Sequence, residues 1–182
     1  LANIIDWKPF QVAPPGEKAD PIRSLQTPEG IEDRLRSAAF AELQAQKAFL
    51  WAAEFYTLIS PKLKRAWVHL AQAEERHLHW LLSRMEALQL SISQRKVSQQ
   101  LWLSLISCPT AEQFAHYMAS AEERGRKANL HFFQTLQQRD PLTADIFKKI
   151  AQEEIAHIEL AYRFFPKSYT PVLPNPPSPR KV

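Results

Sequence analysis

A single cysteine, Cys108, excludes an intramolecular disulfide framework and a metal site built from four thiolates. One free thiol also fits a reducing compartment. Glycine is almost as scarce, with three residues against 14 prolines. The prolines gather at the two ends and at a few internal boundaries, which leaves the middle of the chain free to be helical. No apolar run approaches the roughly 20 residues that a membrane-spanning helix needs, so no membrane partner is expected. The first residues lack the charged, apolar and small-residue sections of a secretory signal, and the expectation is a cytoplasmic protein.

Charge excludes little. The net charge of +4 gathers at Lys62, Lys64 and Arg65, at Arg124, Arg126 and Lys127, and at Lys148 and Lys149. A phosphate-bearing partner such as RNA is compatible with these clusters. Solvated helix faces are the plainer reading, because no nucleic-acid motif accompanies them. With 45% hydrophobic and 23% charged residues in 182, the composition is that of one globular domain able to bury a sizeable core. A homodimer is compatible with it.

Three regions follow from composition. Residues 1–26 read as an extended N-terminal arm, broken by Pro9, Pro14, Pro15, Gly16 and Pro21. Ile4, Ile5, Trp7 and Phe10 give it apolar anchors for packing on the rest. Residues 27–166 read as a helical bundle. Residues 167–182 form a proline-rich tail, expected to be polyproline-like or without fixed structure.

Within 27–166 the fold class is all-α, with four long helices and a connector. Thr27 before Pro28 starts the first, which is expected to reach about Ile59; Ser60 before Pro61 starts the second, to about Leu88. Residues 89–109 cross over, with a short helix expected from Val97 to Ile106. Thr110, with Gln113 three residues on as a capping box, starts the third, to about Arg139. Asp140 before Pro141 starts the fourth, to about Phe165. Each helix carries an apolar stripe of helical period. The stripes are Leu35, Ala39, Phe49, Ala53 and Tyr56; Leu63, Trp67, Leu70, Leu81 and Leu88; Phe114, Met118, Gly125, Phe132 and Leu136; and Phe147, Ile150, Ala161 and Phe164.

A carboxylate interrupts the middle of every stripe. Glu42, Glu74 and His77 recur as Glu122, Glu154 and His157, all three at one constant offset along the chain. Glu, then Glu-x-x-His, given twice, is the ligand order of a two-metal site inside a four-helix bundle. A buried carboxylate without a partner costs several kcal/mol, and four converging ones repel one another. Two divalent cations cancel four carboxylates and leave two neutral imidazoles to complete the set. Oxygen ligands with imidazole and no thiolate suit iron or manganese better than structural zinc.

The helix lengths agree with this reading. About 18 residues separate Glu42 from the turn at Ser60, and about 14 to 17 lead back to Glu74 and His77, which returns all three to one level of an antiparallel hairpin. The second half repeats the hairpin, so the two halves are expected to be related by a pseudo-twofold axis. Glu75, Glu123 and Glu153 lie one step round the helix and are expected to face solvent or back the ligands. His69, His79, His116 and His131 lack the spacing. Gln46 and Asn129 are candidates to hydrogen-bond the ligands. Tyr56 and Tyr117 are candidates for redox roles, with packing the preferred role for each. Gly125, one turn from Glu122, is expected either to pack closely against a helix or to leave room beside the metals.

The sequence resembles the ferritin-like di-iron carboxylate superfamily and, within it, a bacterial ferritin-like family of unknown function. The matching residues are Glu42 to Ala45, Glu74 to His77, Leu101 and Trp102, Glu122 to Gly125, and Glu154 to His157 followed by Arg163 to Phe165. The likeness covers about residues 28–166. It implies a ferritin-like bundle with a crossover between helices 2 and 3, and the metal ligands Glu42, Glu74, His77, Glu122, Glu154 and His157. The implied cofactors are two iron ions, or manganese, or one of each. A more distant likeness is to the MiaE-type tRNA hydroxylases, which share the ligand order; here the loop between helices 2 and 3 is shorter, so a tRNA-modifying hydroxylase is kept as one alternative and the tRNA substrate is not carried over directly.

The resemblance implies three function classes. The first and preferred one is an oxygen-dependent oxidoreductase, such as a hydroxylase, with an organic substrate, molecular oxygen and an external electron donor. It predicts a substrate pocket that reaches the metals. The second is iron oxidation, storage or peroxide detoxification. The third is a bundle that uses metal for stability or partner binding only.

Overall fold

The computed structural model describes residues 5–14 and 16–166. Its elements, in order, are β1 (Gln11–Val12), α1 (Pro28–Phe55), α2 (Pro61–Ala87), β2 (Lys96–Val97), α3 (Gln100–Ile106), α4 (Ala111–Leu136) and α5 (Pro141–Phe164). The class is all-α, with five helices and one two-stranded parallel sheet of two residues per strand among the described residues. Ile4 and the proline-rich tail lie outside the described residues.

Each long helix starts where its cap is written. Thr27, Ser60, Thr110 and Asp140 accept hydrogen bonds from the backbone N–H of Gly30, Leu63, Gln113 and Thr143, at 3.1, 3.2, 3.2 and 3.1 Å. Such a cap is worth about 1 kcal/mol to its helix. Gly30 is also needed for space: a Cβ there would stand 1.8 Å from the Ser24 carbonyl oxygen.

Two helix ends come earlier than the sequence predicts. α1 stops at Phe55 rather than near Ile59, because Tyr56 leaves helical geometry (ψ 87°) and its hydroxyl donates to the Cys108 carbonyl at 2.7 Å. α4 stops at Leu136 rather than near Arg139, because the N–H groups of Arg139 and Asp140 both turn back to the Leu136 carbonyl, at 2.9 and 2.8 Å. The crossover also differs from expectation. Val97 lies in β2, paired with Val12 of the arm, and the short helix begins only at Gln100.

The arm packs on the helices as its apolar residues suggest. Phe10 is buried, and Trp7 meets Phe40 and Trp102 edge-on at 5.3 and 5.9 Å. Trp7 also donates from its indole nitrogen to Gln99 at 3.1 Å. Gln44 of α1 is buried and holds the crossover: its amide nitrogen reaches the Ser98 carbonyl at 3.2 Å, and its oxygen accepts from the Trp102 N–H at 3.0 Å.

α1 packs along α2, and α4 along α5; across these pairs, α2 meets α5 and α1 meets α4. Two apolar clusters form. One joins Phe49, Tyr56, Leu63, Trp67, Trp102, Phe114 and Met118. The other joins Phe10, Leu35, Phe40, Leu81, Met85, Phe147 and Ile150. On every long helix, the site carboxylate falls in sequence between residues of one cluster and residues of the other. The polar residues are thus a layer between two apolar masses.

Candidate metal centre

The four carboxylates reach one level because of where they stand on their helices. Glu42 precedes the end of α1 at Phe55 by the same stretch of helix that separates Glu74 from the start of α2 at Pro61. At a rise of about 1.5 Å per residue both lie about 20 Å from their shared turn. Glu122 and Glu154 stand likewise, almost equally far from Leu136 and from Pro141. His77 and His157 follow their glutamates by one turn and project to the same side.

All six residues are buried. Glu42, Glu74, His77 and Glu154 offer ligand atoms within 4.8 Å of one another, and so do Glu74, Glu122, Glu154 and His157. Glu74 and Glu154 belong to both groups, so a pair of positions shares two carboxylates. Each imidazole turns Nδ1 inward. His77 Nδ1 stands 3.5 Å from Glu42, 3.7 Å from Glu74 and 3.4 Å from Glu154. His157 Nδ1 stands 2.8 Å from Glu74 and 3.1 Å from Glu154.

These approaches are close, yet the atoms are not aligned for hydrogen bonds. Both oxygens of Glu74, one each of Glu122 and Glu154, and Nδ1 of both histidines are buried without a hydrogen-bond partner. Among the described residues only Arg34 Nε, outside the site, shares that condition. Native interiors rarely leave buried polar atoms unpaired, and six in one place call for an unseen partner. Among the described residues no lysine or arginine is ion-paired to any of the four carboxylates.

Proton affinities express the same imbalance. Burial, reinforced by the neighbouring carboxylates, pushes Glu42 and Glu122 well above the ordinary carboxylate range. Burial would also raise Glu74 and Glu154, but the two imidazoles outweigh it and hold both down. Burial opposes a charge on the imidazoles, yet the carboxylates overcome it, raising His77 and pushing His157 up to about 10. Without a metal, protons must supply the missing positive charge. The donor set fits a hard or borderline divalent cation: carboxylate oxygen and imidazole nitrogen, with Cys108 occupied elsewhere by a contact of its Sγ to the Ser104 carbonyl.

The surrounding residues divide. Glu153 backs the site: its carboxylate is 3.1 Å from His77 Nε2 and 3.2 Å from the Arg76 guanidinium. Glu75 is exposed, and Glu123 is held by Arg126 at 2.7 and 2.9 Å, which lowers it to about 2. His69, His79 and His131 are exposed, and His116 meets the Phe165 carbonyl at 2.8 Å. Gln46 and Asn129 are buried, but among the described residues no hydrogen bond joins either to the six. Tyr56 sits in the aromatic cluster and Tyr117 is exposed. Gly125 is exposed and a Cβ there would meet nothing within 4 Å, so close helix packing is not its role.

Sequence reasoning passed over a second buried ionic group. Arg36 is buried and bonds Glu32, Asp33 (3.1 Å) and the Ser91 and Ile92 carbonyls, while Arg23 bonds Asp33 at 2.7 and 2.8 Å. Its only signal is the spacing of Glu32, Asp33 and Arg36 at three and four residues, common on solvated helices too.

Five cavities are described, and none is lined by any of the six residues. One, of about 540 Å³, lies at the α1–α2 turn among Tyr56, Leu58, Leu63 and Phe165. Among the described residues no helix is long and apolar enough to cross a membrane. No curated protein and no solved structure matches the chain. A family model described as protein of unknown function (DUF455) matches residues 8–170, and the chain belongs to that family.

Proposed function

We propose that the chain is a di-metal carboxylate protein with a ferritin-like four-helix bundle, and that it is an oxygen-dependent oxidoreductase. The observation that carries the reading is the pair of four-residue ligand groups sharing Glu74 and Glu154. Glu42 and His77 would complete one position, and Glu122 and His157 the other. Two iron ions, or manganese, would balance the four carboxylates and partner the orphaned atoms. When bound, such a pair supplies redox chemistry toward oxygen or peroxide that no side chain here can supply. The chain's own part is to hold the ligands rigidly on four helices, to turn both imidazoles with Nδ1 inward, and to shield the layer with apolar clusters on either side.

A second reading is iron oxidation or peroxide removal by the same residues. It draws support from the five cavities above, whose linings include none of the six. RNA has less support, since Lys64 pairs with Glu54 and both Arg126 and Lys127 pair with Glu123. The test is anaerobic loading with ferrous iron followed by oxygen. The reading predicts oxygen consumption by the loaded protein and none by Glu74→Ala. A fully loaded protein inert to both oxygen and peroxide would leave metal-dependent stability as the role. Peroxide consumption without oxygen consumption would favour the second reading.

A further inference from the structure

The internal repeat is exact for the six ligands and broken around them. The first half reads Ala73, Glu74, Glu75, Arg76, His77; the second reads Glu153, Glu154, Ile155, Ala156, His157. Glu153 therefore has Ala73 as its counterpart, and Arg76 has Ala156. The two unmatched residues meet each other on one imidazole. Glu153 takes His77 Nε2 at 3.1 Å and Arg76 at 3.2 Å. Among the described residues no hydrogen bond reaches His157 Nε2.

Three further differences run the same way. His77 is fully buried and has Trp80 against it, with ring centroids 5.5 Å apart; its counterpart His157 is 7% exposed. One turn beyond Glu42 stands Ala45, buried in an apolar cluster. One turn beyond Glu122 stands Gly125, exposed and with open space where a Cβ would be. A carboxylate behind a ligating imidazole fixes its ring and tautomer and strengthens it as a donor. Among the described residues only His77 has that support.

We propose that the two metal positions are inequivalent, on the di-metal reading given above. The position of Glu42 and His77 is closed and holds its ion tightly. The position of Glu122 and His157 is open, and it is where small exogenous ligands enter. Glu153 is a positioning residue for the closed position.

The test loads the full chain with ferrous iron without oxygen and follows release to excess chelator. The proposal predicts two equivalents released in two phases of equal amplitude. Glu122→Gln leaves one equivalent, released slowly. Glu153→Ala speeds the slow phase by about 10- to 100-fold and leaves the fast phase unchanged. General loosening of the fold would speed both phases, so the selective effect separates positioning from stability. Because the Glu153 side chain is 40% exposed, its removal opens no core cavity. Two equivalents released at one rate, or a slow phase untouched by Glu153→Ala, would overturn the inequivalence while leaving the di-metal reading intact. Fewer than two equivalents in the unaltered chain would overturn both.

Discussion

Two groups of buried charge lie close together along α1, and they are settled in opposite ways. Glu32, Asp33 and Arg36, with Arg23 and Arg95, form a group in which every carboxylate faces a guanidinium. Arg36 also bonds backbone carbonyls of the segment after α2, so this group ties the start of α1 to the crossover. Among the described residues, the group around Glu42 has four carboxylates, no guanidinium paired to them and six unpartnered buried atoms. Burial of charge alone therefore does not mark a site. A deficit of positive charge and of hydrogen-bond partners does.

That contrast can be broken by substitution. In the balanced group, removing one partner strands the rest. Arg36→Ala is expected to cost about 3 to 5 kcal/mol in denaturant unfolding, with metal content unchanged in the folded fraction. A loss below about 1 kcal/mol would show that the group does not tie the start of α1 to the crossover.

Acid should act on the same group. Burial alone would raise Asp33, but the hydrogen bonds from Arg23 hold it at about 2, below its ordinary 3.8. A depressed carboxyl contributes stability that is full above its unfolded value and lost as pH falls through the folded one. About 2 kcal/mol should therefore disappear between about pH 4 and pH 2, and Asp33→Asn should flatten that part of the stability profile. An unchanged slope in the variant would contradict the assignment.

The smallest effect is expected in the unbalanced group. Burial already favours the neutral form of Glu122, so Glu122→Gln should change the unfolding free energy of the metal-free protein by less than about 1 kcal/mol. Calorimetry of the metal-free variant measures it. A large destabilisation would mean that the Glu122 carboxylate stabilises the fold without metal, which a ligand site does not require.

Much of this was legible in the sequence because period and punctuation act locally. Thr27, Ser60, Thr110 and Asp140 mark the helix starts with a cap, three of them followed by proline, and the structure uses all four. The burial and convergence of the six residues were legible because their spacing repeats on otherwise apolar faces. The ends of α1 and α4 were not, since the Tyr56 hydroxyl finds the Cys108 carbonyl only after the chain has crossed over. The β1–β2 pair was invisible because two residues carry no period. Gly125 was misplaced in a buried stripe by spacing alone. The partner of His77 was left open between solvent and site, since which of Glu75, Glu123 and Glu153 turns inward depends on how the helices are rotated.

Metal content under anaerobic ferrous loading tests the central claim most directly. After dialysis, elemental analysis should find two iron ions per chain, and almost none in Glu74→Ala, which removes a carboxylate shared by both ligand groups. An unaltered chain that retains fewer than two ions, or a Glu74→Ala protein that retains as much as the unaltered chain, would contradict it.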